Sequence, residues 1–156
     1  MQLRIATQED LDSFVLSTKD LLEQIASGNE YEFDNPEDYD VIVDDSNNVL
    51  ALGGISVYGT IWLLTSDFVS KLPLTDKKEF IRLIRRQIEN YKKHSKHRPF
   101  FYNTVWEKNE DHMKFIEACG GIFDYNNKYN STMGEPFIPF VIPNEYYGGK
   151  RCATGR

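Results

Sequence analysis

The chain has 156 residues, 40% of them apolar and 27% charged, so it is long enough for one domain with a sizeable core. No apolar run approaches the roughly 18 residues of a membrane-spanning helix, and the two cysteines and three histidines give neither a disulfide framework nor zinc-ligand spacing. The net charge of −6 conceals a division: residues 1–50 carry thirteen Asp/Glu against Arg4 and Lys19, while residues 71–98 carry ten Lys/Arg against Asp76, Glu79 and Glu89, which predicts a molecule with one basic face.

The opening MQLRIATQED lacks the basic-then-apolar layout of a secretory signal and predicts a chain at work inside a cell, or in a particle assembled there. Residues 3–5 read as a short strand. Residues 7–27 read as one helix, with Thr7 as N-cap and Glu9 and Asp10 suited to the first turn. Leu11, Phe14, Val15, Leu22 and Ile25 recur near the helical period, which turns one stripe toward a core, and Gly28 stops the helix. The acidic stretch NEYEFDNPEDYD, with Tyr31, Phe33 and Tyr39 interleaved, reads as a surface segment. Strands are predicted at 40–43, 49–57 and 60–66, joined by turns at DDSNN and Tyr58-Gly59. Gly53-Gly54 inside the second of them signals a bulge or a close backbone approach.

The stretch LTDKKEFIRLIRRQIENYKKHSKH is the longest helix, with Thr75 as its N-cap and an apolar stripe of Phe80, Ile81, Ile84, Ile88 and Tyr91. Lysine and arginine occupy most of the rest. PFFYNTVW is a strand, and Trp62 and Trp106 belong on or beside the sheet. NEDHMKFIEACGG is a helix capped by Asn109, with Phe115, Ile116 and Cys119 inward and Gly120 at its end. IFDY and FIPFVI are the last strands, and Pro139 puts the latter at an edge or a bulge. The order β-α-β-β-β-α-β-α-β-β gives an α+β domain over residues 1–143, with a mixed, mostly antiparallel central sheet and helices on both faces. Residues 144–156, Cys152 among them, read as a flexible C-terminal tail.

In that order and spacing, LRIATQEDLDSF, VLALGGISVYGTIWLLTS and VWEKNEDHMKFIEACGGIF resemble three blocks of the GNAT acetyltransferase superfamily. These are its opening strand and helix, its central strands and its strand–Asn–helix–Gly–Phe block, and the likeness spans residues 2–142. The resemblance implies the GNAT fold. In catalytic members a Gly-rich turn opens a long helix, and its amides hold the pyrophosphate of acetyl-coenzyme A. The matching stretch here, SDFVSKLPLTDKKEF, has no glycine. Pro73 removes a donor and Asp67 and Asp76 bring negative charge, while Lys71, Lys77 and Lys78 cannot replace an oriented amide nest. The alignment also sets Ile116 where many members carry a tyrosine that protonates the leaving thiolate. With these departures the resemblance implies a degenerate acetyltransferase fold, with no catalytic residues, no cofactor-binding residues and no cofactor. The alternative is an acetyl-coenzyme A-dependent N-acyltransferase acting on a protein or a small amine. Its catalytic candidates are Asp67, His112 and Tyr125, and its cofactor would lie against Leu63, Leu64, Thr65 and Asn109. No metal-binding set is read.

ALGGISVYGTIWLLTSDFVSKL, the basic helix and YNTVWEKNEDHMKFIEACGGIF together resemble more closely the acetyltransferase-like internal virion (core) protein A family of short-tailed phages. That resemblance implies a protein of the virion, or of the host cytoplasm during assembly, whose partners are other virion proteins. The candidate docking residues are Lys78, Arg82, Arg85, Arg86, Lys92 and Lys93, which suit an acidic partner. Nucleic acid suits them less well, because the acidic N-terminal third repels phosphate.

Overall fold

The computed structural model describes residues 1–149. Its strands form two antiparallel sheets. Strands β1 (Gln2–Ile5), β2 (Asp40–Val43), β3 (Val49–Ile55) and β4 (Ile61–Thr65) pair in that order. Strand β5 (Phe100–Trp106) pairs along its length with β8 (Pro136–Pro143), whose other edge takes the short strands β6 (Ile122–Phe123) and β7 (Tyr129–Asn130). A single parallel bridge, Thr60 to Tyr102, joins the sheets between β4 and β5. The α-helices among the described residues are α1 (Gln8–Ser13), α2 (Thr18–Ser27), α3 (Leu74–His94) and α4 (Glu110–Ala118).

One core runs through both sheets. Ile42, Leu50 and Ile61 of the first meet Phe101, Val105, Ile138 and Ile142 of the second, together with Phe80, Leu83, Ile84 and Ile88 of α3 and Ile116 of α4. Full burial of side chains such as Phe101, Leu50 and Ile138 contributes about 1.5–3 kcal/mol each. A smaller cluster, built on Val41, Val43, Val49 and Leu52, takes Leu11 and Phe14 from the N-terminal segment.

The single helix expected over 7–27 is two. Thr7 caps α1 as read, in a capping box with Asp10. The backbone is then extended at Phe14 and again at Ser17, whose hydroxyl caps α2 by accepting the Asp20 N–H. The break resets the helical phase. Val15, Leu22 and Ile25, expected inward, are 73, 48 and 56% exposed, while Asp20 and Glu23 are buried. Gly28 ends α2 in the left-handed region at φ 77°.

Three further expectations are refined. Thr75 does not cap α3: the helix starts at Leu74, and Pro73 stands at the cap position without a side-chain bond. Gly53 marks a close approach, since a Cβ there would lie 2.8 Å from the Trp62 carbonyl oxygen, while the register break lies nearer the start of β3, where Leu50 is the extra residue between the partners of Val43 and Ile42. Pro139 sits inside β8, yet its carbonyl accepts the Asp124 N–H at 2.9 Å, so its missing N–H faces the gap between β6 and β7 and costs no ladder bond.

The chain does not leave the domain at residue 144. Asn144 is buried, and its Nδ2 lies 3.2, 3.0 and 3.1 Å from the carbonyl oxygens of Lys92, Ser95 and Arg98. Gly148 N–H donates to the Lys96 carbonyl. These bonds tie the segment after β8 to the C-terminal end of α3 and the turn that follows it. The rest of the expected tail, 150–156 with Cys152, lies outside the described residues.

Candidate functional site

Past the Thr60–Tyr102 bridge, Asn103 reaches across from β5 and donates to the Ile61 carbonyl of β4 at 2.7 Å. The strands then diverge, and a cavity of about 520 Å³ opens between the two sheets. Leu63 and Leu64 of β4, Asn103 and Thr104 of β5, and His112, Phe115 and Ile116 of α4 are among its walls. Among the described residues, β4 has no strand partner on this side beyond Ile61. Helix α2 supplies one: the Thr65 N–H and hydroxyl both donate to Asp20 Oδ2 at 2.8 Å, and the Thr65 carbonyl accepts the Ser17 N–H at 2.8 Å. The main-chain groups of Thr65, against which the cofactor of the alternative reading would lie, are therefore bonded to Asp20 and Ser17.

On the α2 side of the cavity stands a buried polar group that the sequence reading did not assemble. Glu23 Oε1 accepts Asn109 Nδ2 at 3.0 Å and lies 3.1 Å from His112 Nδ1. Asn109 is fixed by its second task, capping α4 through the His112 N–H. Burial, the largest single effect, lowers the His112 pKa. The hydrogen bond to Glu23 and the charges of Glu23 and Asp20 together outweigh it, so the imidazole is held above its ordinary value of 6.5. The same two carboxylates add to burial in pushing the Tyr31 phenol up to about 12. A carboxylate-oriented imidazole of this kind can hold or move a proton. Glu23 was not legible because, on a helix read alone, a glutamate counts as part of the solvated face.

The remaining candidates are dispersed. Asp67 lies outside the cavity walls, exposed, and its Oδ1 accepts the Thr18 N–H at the start of α2. Tyr125 is 60% exposed, beside the Phe123 ring. Ile116 is buried and has no proton to give. Cys119 is half-buried, and burial pushes its thiol up to about 11, far from a reactive thiolate.

The stretch aligned with the pyrophosphate turn folds as a 3-10 turn. The amides of Val69, Lys71 and Leu72 are committed to the carbonyls of Ser66, Phe68 and Val69, and Pro73 has none. What remains is the ordinary first turn of α3, with Asp76 in it. The nest of inward-pointing amides that a diphosphate requires is not built here. The field is also unfavourable: Glu23, Glu30, Glu32 and Asp40 line the cavity, and His112 is its one basic side chain among the described residues.

The basic helix presents a second surface. Lys78, Arg82, Arg85, Arg86 and Lys93 share about one third of the circumference of α3 and are exposed. The structure separates them by role. Arg85 donates from Nε to the carbonyl of Ala118, closing the C-terminus of α4. Lys92 is paired with Glu145 at 3.1 Å and mostly covered, and Lys93 stands over the Tyr146 ring. Lys78, Arg82 and Arg86 keep their charges at the surface, Arg82 with Glu79 at 3.6 Å.

With this geometry the chain can be compared with known proteins. The family model described as "Bacteriophage T7, probable scaffold protein Gp13" matches residues 40–129. The chain belongs to this Gp13 scaffold-protein family. A relative within it, the "Probable scaffold protein gp13" of Escherichia phage T7, is 29% identical over 127 residues, 79% of this chain and 86% of that one. Both Gp13 descriptions say scaffold, where the sequence resemblance implied an internal virion protein. Among solved structures, the Vibrio cholerae spermidine N-acetyltransferase in complex with CoA and spermine superposes with a TM-score of 0.57 at 13% identity, over 92% of this chain and 95% of that one. Chaetomium thermophilum Naa20 with a bisubstrate analogue gives 0.57 at 15% identity, over 98% and 93%. At such identities the likeness is one of fold: this Gp13-family chain has the GNAT fold in its α+β form.

Proposed function

We propose that this Gp13-family protein is a non-catalytic phage assembly protein that uses a GNAT scaffold to dock other virion proteins, in the host cytoplasm during assembly or in the particle. The observation that carries this reading is the turn before α3, where Val69, Lys71 and Leu72 bond their amides to local carbonyls and Pro73 contributes none. The scaffold description of its family and of its phage T7 relative supports the setting. The exposed charges of Lys78, Arg82 and Arg86 suit an acidic partner surface. Nucleic acid fits less well beside the acidic N-terminal third. Two measurements test the reading. Isothermal titration of the full chain with acetyl-coenzyme A is expected to show no binding up to millimolar cofactor; micromolar affinity would overturn the non-catalytic assignment. Charge reversal at Lys78, Arg82 and Arg86 is expected to abolish co-assembly into particles without moving the melting temperature. A variant that assembles normally would reduce this helix face to a solvated one.

A second reading, an acetyl-coenzyme A-dependent N-acyltransferase of a protein or small amine, is favoured by one observation: the Glu23–His112 pair at the wall of a cavity of about 520 Å³. Acetylation of a panel of amines and peptides, lost on His112→Ala, is the outcome that would promote it.

A further inference from the structure

Helix α2 is mounted with its polar side inward. Asp20, Glu23 and Ala26 are buried, whereas Leu21, Leu22 and Ile25 are 43, 48 and 56% exposed. Ile25 is the i+4 and i+3 neighbour of the two leucines, so the three form one strip on the helix surface. Met133, 60% exposed, continues it. Its turn lies against the end of α2, where Ser131 Oγ donates to the Ala26 carbonyl at 2.5 Å and Met133 Cγ would stand 3.3 Å from a Cβ placed on Gly28. An amphipathic helix ordinarily turns such a strip to its core, and an exposed apolar patch with a polar rim marks a contact surface. Repacking cannot retrieve it. Rolling α2 inward would break the bonds of Asp20 to Thr65 and of Glu23 to Asn109 and His112 and strand buried polar groups, a larger loss than the strip would recover.

The surroundings of the strip specify what covers it. Asp67, whose Oδ1 accepts the Thr18 N–H at the start of α2, and Glu30 and Glu32 just after it are exposed. The two cations of residues 1–50 are already neutralised, Arg4 by Asp10 and Lys19 by Asp111. A second copy docked face to face would set this acidic rim against itself. A second copy docked through α3 would bring charge without an apolar stripe, because its outward residues are Lys78, Arg82, Arg85 and Arg86. We propose that the α2 strip is the docking site for a basic amphipathic helix of another protein, one whose apolar stripe is flanked by lysine and arginine. This surface is independent of the basic face of α3 and opposite to it in charge.

The test uses the full chain and three synthetic helical peptides of about 18 residues, five turns of helix. One carries a leucine stripe flanked by lysines, the second the same stripe flanked by glutamates, and the third is a scramble of the first with its composition kept. The lysine-flanked peptide is expected to bind at least about tenfold more tightly than either control. Leu22→Ser with Ile25→Ser, and separately Met133→Ser, are expected to bring it down toward the scramble with the melting temperature unchanged. Equal binding of the stripe and scrambled peptides, or indifference to these substitutions, overturns the proposal. So does sedimentation equilibrium showing that the wild-type chain self-associates and that Leu22→Ser with Ile25→Ser returns it to monomer, since a second copy would then be the occupant.

Discussion

His112 shows how one partly buried side chain can tie two elements together. Its Nδ1 lies 3.1 Å from Glu23 Oε1, which also accepts Asn109 Nδ2 at 3.0 Å, so one carboxylate ties the start of α4 to α2. Because the folded pKa of His112 is raised above its ordinary 6.5, the protonated form binds more strongly in the native state than in the unfolded one. That contribution is complete below pH 6.5 and disappears as pH rises through the raised native value. Urea unfolding of the wild type and of His112→Gln between pH 5 and pH 9 should therefore show a stability difference that is largest at the acid end. The difference should shrink on the alkaline side of neutrality. A difference that grew with pH would mean that His112 is neutral in the fold and that Glu23 serves it only as an acceptor.

At the scale of elements, hydrophobic period found the helices but not the way α2 faces. Leu11 and Phe14 pack inward as their spacing predicts. After the break at Ser17 the same arithmetic points Leu22 and Ile25 the wrong way, because the partners that draw Asp20 and Glu23 inside lie far along the chain, at Thr65, Asn109 and His112. Periodicity assumes that apolar groups compete for the core and polar ones for water; it has no means of registering a polar socket assembled from two other elements. The candidate site suffered for the same reason: the cavity and its Glu23–His112 pair depend on those distant contacts, whereas the missing glycines before α3 needed only local reading. Helix α3 shows the converse. Its basic residues read as one surface, yet Arg85 reaches the Ala118 carbonyl and completes α4, where a cation is favourable against the helix dipole. Arg85→Glu should cost about 1 kcal/mol in urea denaturation, while Arg86→Glu should be neutral within error. Equal effects at the two positions would refute this division of labour.

For the molecule as a whole, the order of elements was readable and the thinness of the join between β4 and β5 was not. A sheet broken between β4 and β5 leaves no local mark, since each strand keeps its own alternation and the join is a single bridge at Thr60–Tyr102. Whether so thin a backbone connection makes two halves or one body depends on the core, and the core is continuous: Ile42, Leu50 and Ile61 from one sheet share a cluster with Phe101, Ile138 and Ile142 from the other, with Phe80, Ile84 and Ile88 of α3 among them. Parting the sheets would expose all of these at once, which is the condition for all-or-none unfolding. The two tryptophans are placed to test this, Trp62 on β4 in the first sheet and Trp106 on β5 in the second. In Trp62→Phe and Trp106→Phe variants the remaining indole reports on one sheet alone. Within each variant its fluorescence should change at the same urea concentration as the far-ultraviolet circular dichroism, with the same slope. A fluorescence midpoint displaced from the dichroism midpoint in either protein would make the cleft between β4 and β5 a boundary between two separately stable halves, and the shared cluster would not be the term that holds them together.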